Sequence, residues 1–469
     1  MGTFSIGEAK IRPGEYHRYE NAGGMSTTGA VNGIVAGIIR ANWGPLNKTV
    51  VFAPSTSVAQ TFGTGMTEDL ITEMFKSGSS KGYFVRCGTG GTCGEIVLKD
   101  DEASDVVAIS AKYVGDRAFS ITIRDSLTNT SKRECIVFDG TTEFEKIEFA
   151  KNAADGEAAA LVDAFAKSVN FTASVLSNGS GVLAGVTQSE FKAGTNPTVN
   201  AEAYSNALAA LEPYIYNVLC VYTEDTDIHA LVSAFLKRTY AAGSYPMAVL
   251  SEKSTIDLEA RMTNAKTFND EKCIYVLYVA EYASGNVREG YLNAARIGGI
   301  VAYVPSNQSV THYVINDYAG LSESLTNTQI ENALLAGCLV LTVNSNGQVW
   351  IEQGINTLVD PSEDQDEGWK KIRRVKTRYE LMQRVGDTTA KLVGKVDNDT
   401  DGRAAIVAAG QAIIDEMIAE KKLRSGSKMM EDEANPAIGD SAWFVIAVDD
   451  IDSIEKFYLT YRFRFSAED

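Results

Sequence analysis

The side chains that most often carry catalysis or bind metals are few in this sequence, and they form no recognisable site. The only histidines are His17, His229 and His312, and none lies at zinc-ligand spacing from another histidine or a cysteine. The glycine-rich stretch Gly88–Gly94 lacks the Gly-Lys-Ser/Thr ending of a phosphate-binding P-loop. Ala295–Gly299 has too few glycines for a dinucleotide-binding fingerprint. The sequence therefore predicts no catalytic, cofactor-binding or metal site, and we expect that the protein is not an enzyme.

Composition narrows the class of protein further. Of the 469 residues, 45% are hydrophobic and 22% charged, which is typical of a globular protein with about two to four domains. The formal net charge of −18 disfavours a nucleic-acid partner, because nucleic acid is itself negatively charged. No apolar run approaches the roughly 18 residues that a membrane helix needs, and the first residues do not resemble a signal peptide. We expect no membrane insertion, and a protein used inside a cell or released without the secretory route.

The first part of the chain alternates between strand and helix patterns, which indicates an α/β layer that could position functional residues. Strands are predicted at Val31–Ile39, Thr49–Phe52 and Tyr83–Cys87, with a helix at Asp69–Phe75. Residues 88–195 then carry short strand-like runs separated by turn residues, which predict an inserted β-sandwich domain. The predicted strands of this region are Glu95–Lys99, Asp105–Val114, Ala118–Asp125 and Arg133–Phe138.

The helix and strand alternation returns after residue 195. Its spacing is typical of successive βα units in a largely parallel, doubly wound sheet that is covered on both faces. The predicted strands are Asn217–Tyr222, Met247–Leu250, Cys273–Tyr278, Ile300–Val304 and Leu339–Val343. The predicted organisation is an extended arm at 1–29, an α/β domain formed by 30–87 and 196–355, a β domain at 88–195, and an α+β C-terminal domain at 356–469.

A basic segment near residue 370 has a helical pattern. Apolar residues recur on one side, whereas Lys370, Arg373 and Arg374 are predicted on the other. An acidic stretch, Asp360–Glu367, precedes it. The basic side is either a solvated surface beside this acidic loop or a docking surface for an acidic partner.

The most regular pattern of all is Ala442–Phe465. From Phe457 to Phe465, apolar residues alternate with Tyr458, Thr460, Arg462 and Arg464, which is the two-residue period of a strand with one apolar face. Such a strand needs a backbone partner and a cover for its apolar face. It either closes a sheet of its own chain or pairs with another chain.

Several short motifs, taken in order, resemble those of tail sheath proteins of contractile bacteriophages and prophages, and of the related phage-tail-like bacteriocins. The resemblance covers both ends of the chain and its α/β middle. The motifs are Arg12–Tyr16 (Arg-Pro-Gly-Glu-Tyr), Gly33–Val35, the Trp43–Pro45 turn, Val393–Val396 with Asn398 and Gly402-Arg403, and Ile454–Thr460 (Ile-Glu-Lys-Phe-Tyr-Leu-Thr).

This resemblance implies a structural function. Sheath subunits of this family have a subtilisin-like α/β core (in fold only), an outward β-sandwich domain and an inner C-terminal domain. They stack as rings in a six-start helix around a tail tube protein, between a baseplate and a tail terminator. Contraction drives the tube through the bacterial envelope. The expected location is the sheath of a virion tail that is assembled in the cytoplasm of the bacterial host.

The resemblance also implies that both terminal segments are arms that add strands to sheets of neighbouring subunits. We expect these arms at roughly Phe4–Tyr19 and Ile454–Phe465, and a tube contact at Lys370, Arg373 and Arg374. The residues expected to act in the arms are Arg12, Pro13, Tyr16, Phe457, Tyr458, Leu459, Thr460, Tyr461 and Phe463.

Two other functions compete with this hypothesis. An α/β hydrolase-like enzyme with an accessory β domain would have a clustered nucleophile, base and acid, and the sparse histidines argue against it. A carbohydrate- or surface-binding module would depend on the β insertion alone.

Overall fold

The structure is a computed structural model, and it describes residues 2–3, 16–17, 32–63, 68–277, 280–282 and 289–464. The chain forms two compact units. The larger unit comprises Asn32–Thr377 and Ile451–Asp469, and the smaller unit comprises Met1–Val31 and Arg378–Asp450.

The strands are numbered in chain order. They are β1 (Gly2–Thr3), β2 (Tyr16–His17), β3 (Ile34–Ile39), β4 (Thr49–Phe52), β5 (Lys81–Arg86), β6 (Cys93–Lys99), β7 (Asp105–Val114), β8 (Phe119–Asp125), β9 (Lys132–Asp139), β10 (Thr142–Ala150), β11 (Phe171–Val175), β12 (Val186–Glu190), β13 (Val218–Val221), β14 (Met247–Leu250), β15 (Cys273–Val276), β16 (Ala280–Tyr282), β17 (Tyr318–Leu321), β18 (Cys338–Leu339), β19 (Leu341–Val343), β20 (Val349–Ile351), β21 (Lys428–Glu431) and β22 (Phe444–Ala447).

The α-helices are numbered in the same way, and two 3₁₀ helices span Glu367–Lys370 and Ala390–Leu392. The α-helices are α1 (Val58–Phe62), α2 (Glu68–Phe75), α3 (Glu157–Phe165), α4 (Ala201–Leu211), α5 (Thr226–Ala241), α6 (Leu258–Phe268), α7 (Gly290–Tyr303), α8 (Asn327–Leu335), α9 (Ile372–Thr389) and α10 (Thr400–Ala419). No helix among the described residues is both long and apolar enough to cross a membrane.

A seven-stranded sheet organises the larger unit, in the order β18-β15-β14-β13-β3-β5-β4. All neighbouring strands are parallel except β4, which pairs antiparallel with β5 at one edge. The strands are apolar on both faces, as expected for a parallel sheet covered on both sides. Ala36, Leu219 and Ala248 pack with α4 and α5, and α7 packs against β13 and β14. The predicted parallel sheet is thus confirmed, in a mixed α/β fold.

Two strands predicted in this unit differ from the structure: Leu339–Val343 is divided between β18 and β19, which belong to different sheets, and Ile300–Val304 is wrong. Ile300–Val304 is not a strand, because Ile300–Tyr303 form the last turn of α7. A short apolar run is compatible with a buried strand and with a buried helix, because its periodicity does not distinguish the two. Helix α7 is buried from Gly290 through Ala302, on all sides.

Two glycines in helices give opposite expectations on substitution. A Cβ at Gly299 of α7 would lie 2.3 Å from the Met74 carbonyl oxygen, whereas one at Gly386 of α9 would meet nothing within 4 Å. We expect Gly299→Ala to lower the free energy of unfolding by about 1–3 kcal/mol through overpacking. Gly386→Ala should raise it by roughly 0.5–1 kcal/mol, because alanine loses less backbone entropy in a helix. Urea denaturation measures both, and equal effects of the two substitutions would contradict the close contact at Gly299.

Two antiparallel sheets lie within residues 93–190. Their orders are β10-β9-β8-β12 and β11-β7-β6. Their inward side chains form one hydrophobic cluster, which includes Phe119, Phe171 and Leu161 of α3, and Trp43 also belongs to it. The predicted strands of this region are present, and β10, β11 and β12 are additional to them. The domain boundaries inferred from the sequence remain predictions.

The smaller unit contains α10, the β21–β22 hairpin and residues 378–389 of α9. Leu381, Val385, Ile414, Met417 and Met429 belong to its hydrophobic core. Beside this core lies a buried ionic cluster. Glu380 Oε1 is 2.6 Å from Lys422 Nζ and 3.2 Å from Arg384 Nη1, and all three side chains are almost fully buried.

Candidate inter-subunit interface

The C-terminal segment 451–464 forms no strand, although its sequence has a strand pattern. A strand requires a partner for its backbone groups, and none of the described residues pairs with this segment. Its apolar side chains lie in solvent: Phe457 is 75% exposed and Phe463 92%. The segment therefore closes no sheet formed by the part of the chain that the structure describes. Phe465 lies outside the described residues.

The start of this segment is held firmly by the larger unit. The Glu455 carboxylate receives a hydrogen bond of 2.9 Å from Thr311 Oγ1 and one of 3.1 Å from Gln353 Nε2. Ser309 Oγ lies 3.1 Å and Lys371 Nζ 3.4 Å from its oxygens. We call these four residues the carboxylate socket. The sequence does not reveal it, because its members lie up to 146 residues from Glu455 and share no motif.

Two further contacts hold the residues just before Glu455. Lys371 Nζ forms an ion pair of 2.6 Å with Asp452. Arg373 Nη1 donates a hydrogen bond of 2.8 Å to Ser453 Oγ. The segment is thus fixed as far as Glu455.

The basic side predicted on the helix near residue 370 is not a free surface. Arg373 is only 6% exposed. Lys370 pairs with Glu367 at 2.9 Å, and Arg374 lies 3.7 Å from Asp366. Nearby acids and the C-terminal segment hold these three side chains, so they do not form the solvated surface that the sequence allowed as one of two alternatives. Their contact with a tube stays a prediction.

At the N-terminus, β1 and β2 pair in parallel, with Tyr16 opposite Gly2. Arg12 and Pro13, which the sequence places in the N-terminal arm, lie outside the described residues.

No third strand of the described residues pairs with the β21–β22 hairpin of the smaller unit. It is a two-stranded sheet, and Val445 and Ile446 of β22 are exposed. Next to it lies a groove of about 630 Å³. Its lining is largely apolar and includes Val385, Leu392, Val393, Val396, Ile406, Phe444 and Ile446.

The residues considered for catalysis do not come together. His229 is buried in α5, and His312 is exposed and stacks on Trp350 with the ring centroids 3.8 Å apart. Among the described residues no group of three or more His, Cys, Asp or Glu side chains could hold a metal ion. Gly78–Gly82 has the spacing Gly-x-Ser-x-Gly, but Ser80 precedes strand β5, whereas a nucleophile elbow follows a strand and precedes a helix.

His229 gives a prediction about pH. Burial lowers its pKa from 6.5 to about 4, although its Nε2 lies 3.2 Å from the Thr223 carbonyl oxygen. Since the unfolded chain binds this proton more tightly, stability is lost as the pH falls from 6.5 towards 4, by at most about 1.4 kcal/mol per pH unit. Urea denaturation across this range should show a smaller pH dependence for His229→Gln than for the wild type. Equal dependence in both proteins would contradict the prediction.

Part of this fold matches a known protein family. The family profile described as phage tail sheath protein central domain matches residues 198–357, which include β13, β14, β15 and the central helix α7. This stretch is thus similar to the central domain of phage tail sheath proteins. Among curated proteins, none matches the sequence.

Solved structures share the sheath fold well beyond the central domain. The sheath tail protein of Desulfitobacterium hafniense is similar with a TM-score of 0.70 at 19% identity, over 93% of this chain and 100% of that one. The sheath tail protein of Listeria innocua gives 0.68 at 16% identity, over 89% and 94%. The helical sheath of the anti-feeding prophage in its contracted state gives 0.54 at 10% identity, over 97% and 99%. The sheath fold thus extends across nearly the whole chain.

Proposed function

We propose that this chain is the structural subunit of a contractile tail sheath, which polymerises helically around a tail tube and contracts to drive the tube through a bacterial envelope. The observation that carries the proposal is a sheath fold that continues into an exposed, half-apolar segment. Nothing in the described residues favours the hydrolase alternative. The finer assignments, of the large sheet to a subtilisin-like core and of residues 93–190 to an outward domain, belong to this proposal.

Residues 457–464, the C-terminal arm, add as a strand to a neighbouring subunit. Along the arm Phe457, Leu459, Tyr461 and Phe463 fall on one side of an extended chain. Strand addition satisfies the arm's backbone groups through hydrogen bonds, and its alternate side chains need an apolar surface. The edge of β22, which pairs with no further strand of the described residues, and the adjoining groove of another copy provide both, so we assign the acceptor to this hairpin. The N-terminal arm, with Arg12, Pro13 and Tyr16, takes part in the same mesh.

Such connections suit a sheath that changes its helical arrangement. An interface between copies that does not close on itself generates a helical tube. Strand pairing by arms tolerates rotation of the bodies that they connect, so the subunits repack while the mesh stays intact. Energy stored kinetically in the extended assembly is then released on contraction without a nucleotide.

The partners in this proposal are further copies of the chain, a tail tube protein, a baseplate and a tail terminator, in a tail assembled in the cytoplasm of the bacterial host. Lys370, Arg373 and Arg374 remain the proposed tube contact. Because Arg373 also supports Ser453, its substitution would disturb the arm as well as the tube contact. Lys370 is therefore the cleaner probe of the tube.

Electron microscopy of the purified protein, alone and with a tube–baseplate template, tests the proposal. We expect rings or long tubes of uniform diameter. Discrete small particles under both conditions would contradict a sheath function, and would favour a monomeric enzyme or a binding module.

A further inference from the structure

The Glu455 carboxylate is nearly buried and is contacted by several polar groups, unlike an isolated surface contact. Its side chain is only 9% exposed, and donors reach it from three separate parts of the larger unit. Ser309 and Thr311 lie in one turn, Gln353 follows β20, and Lys371 precedes α9. A carboxylate buried in this way requires such partners, because its desolvation is costly without them.

The socket is itself braced. The Thr311 hydroxyl accepts a hydrogen bond of 2.9 Å from the Gly354 amide, which fixes the oxygen that donates to Glu455. A Cβ at Gly354 would lie 2.8 Å from Val310, so the turn and the strand end are in close contact. The donors are therefore positioned by the fold and not by Glu455 alone.

Burial changes abruptly after this residue. The Glu455 side chain is almost enclosed, whereas Phe457, two residues later, is 75% exposed and Ile454 also lies in solvent. The boundary between the fixed and the free part of the segment thus falls at Lys456.

We propose that the carboxylate socket anchors the C-terminal arm in the free subunit and fixes the point from which it pivots. The inference rests on the proposed function, because it assumes that the arm pairs with a neighbour. Anchored at Glu455, the eight residues 457–464 reach about 26 Å when extended. The socket thereby limits the positions of the arm before assembly, which lowers the entropic cost of strand addition.

The anchor itself can be tested in the unassembled full-length chain. Spin labels at Lys456→Cys and Asn346→Cys, in a Cys93→Ser background, report the distance from the pivot to the exposed β19–β20 turn; the other five cysteines are buried. The wild-type socket should give one narrow distance distribution. Glu455→Gln and Thr311→Val should each reduce this narrow component by roughly ten-fold relative to a broad one, because hydrogen bonds to the charged group are lost. Glu331→Gln, which removes an exposed carboxylate on α8 of the same unit, should change nothing. An unchanged narrow distribution in Glu455→Gln overturns the anchor.

The consequence for assembly is measured separately. The lowest protein concentration that yields sedimenting tubes should rise by about ten-fold in Glu455→Gln and stay constant in Glu331→Gln. An unchanged value in a variant whose arm is released overturns the proposed benefit to strand addition. If the wild type itself forms no tubes, the proposed function fails in this assay, while the spin-label distances still decide the anchor.

Discussion

A chain that ends at Lys456 should fold normally, remain monomeric and form no tubes. The removed side chains of residues 457–464 lie in solvent and contribute little to the folded subunit, so the free energy of unfolding should change by less than about 0.5 kcal/mol. Assembly should nevertheless be lost, because the truncated chain has no strand to donate to a neighbour. The cut leaves Glu455 and its socket intact, which separates the arm from its anchor. Sedimentation and electron microscopy measure tube formation, and urea denaturation measures folding.

The two sides of the arm provide a matched control at full length. Replacement of Phe457, Leu459, Tyr461 and Phe463 by serine removes the apolar side and should abolish tubes as the truncation does. Replacement of Tyr458 and Thr460 by serine alters the opposite side and should leave assembly nearly intact. Normal tubes from the truncated chain would rule out the arm as a connector, whatever the result of the serine variants.

The second large effect is expected in the buried ionic cluster of the smaller unit. Glu380→Gln should lower the free energy of unfolding of this unit by about 3 kcal/mol, because Lys422 and Arg384 then lose a buried counter-charge. The other carboxylates that pair with these two cations, Glu420 and Glu416, are 41% and 59% exposed, so they compensate the buried charges only in part. Hydrogen exchange of the α10 amides at increasing urea concentration would measure the loss in this unit alone.

Glu416 supplies the control within the same cluster. It also pairs with Arg384, but it is 59% exposed, so water screens the interaction. Glu416→Gln should therefore cost at most about 1 kcal/mol. Similar losses from the two substitutions would show that burial does not set the contribution of Glu380.

The sequence predicts those parts of the fold that depend on local periodicity. Met247–Leu250 and Asp105–Val114 are strands with the predicted bounds, because β-branched and apolar residues between turns specify them locally. Ile300–Val304 fails for the opposite reason: its surroundings, and not its own pattern, make it the end of a buried helix. Long-range packing of this kind leaves no periodic signal.

The sequence likewise predicts only part of the candidate interface. The alternation after Phe457 identifies an unusual segment, but only the structure shows that no strand of the described residues pairs with it. The basic pattern identifies Lys370, Arg373 and Arg374 but only part of what holds them: Glu367 and Asp366 are near in sequence, whereas Ser453, which contacts Arg373, is 80 residues away. Glu455 belongs to the Ile454–Thr460 motif, but the sequence does not identify its partners, which are more than 80 residues away along the chain.

The alternation of the arm also bears on how such a protein avoids amyloid. Stacked fibrils require strands whose two faces both bury dry, interlocking side chains. In this arm Arg462 and Arg464 lie on the side opposite Phe463. Charges placed beside an aggregation-prone strand act as gatekeepers, because burying them is costly. The arm can therefore be adhesive along one face towards a single acceptor sheet, while its charged face stays hydrated and stops further layers from stacking.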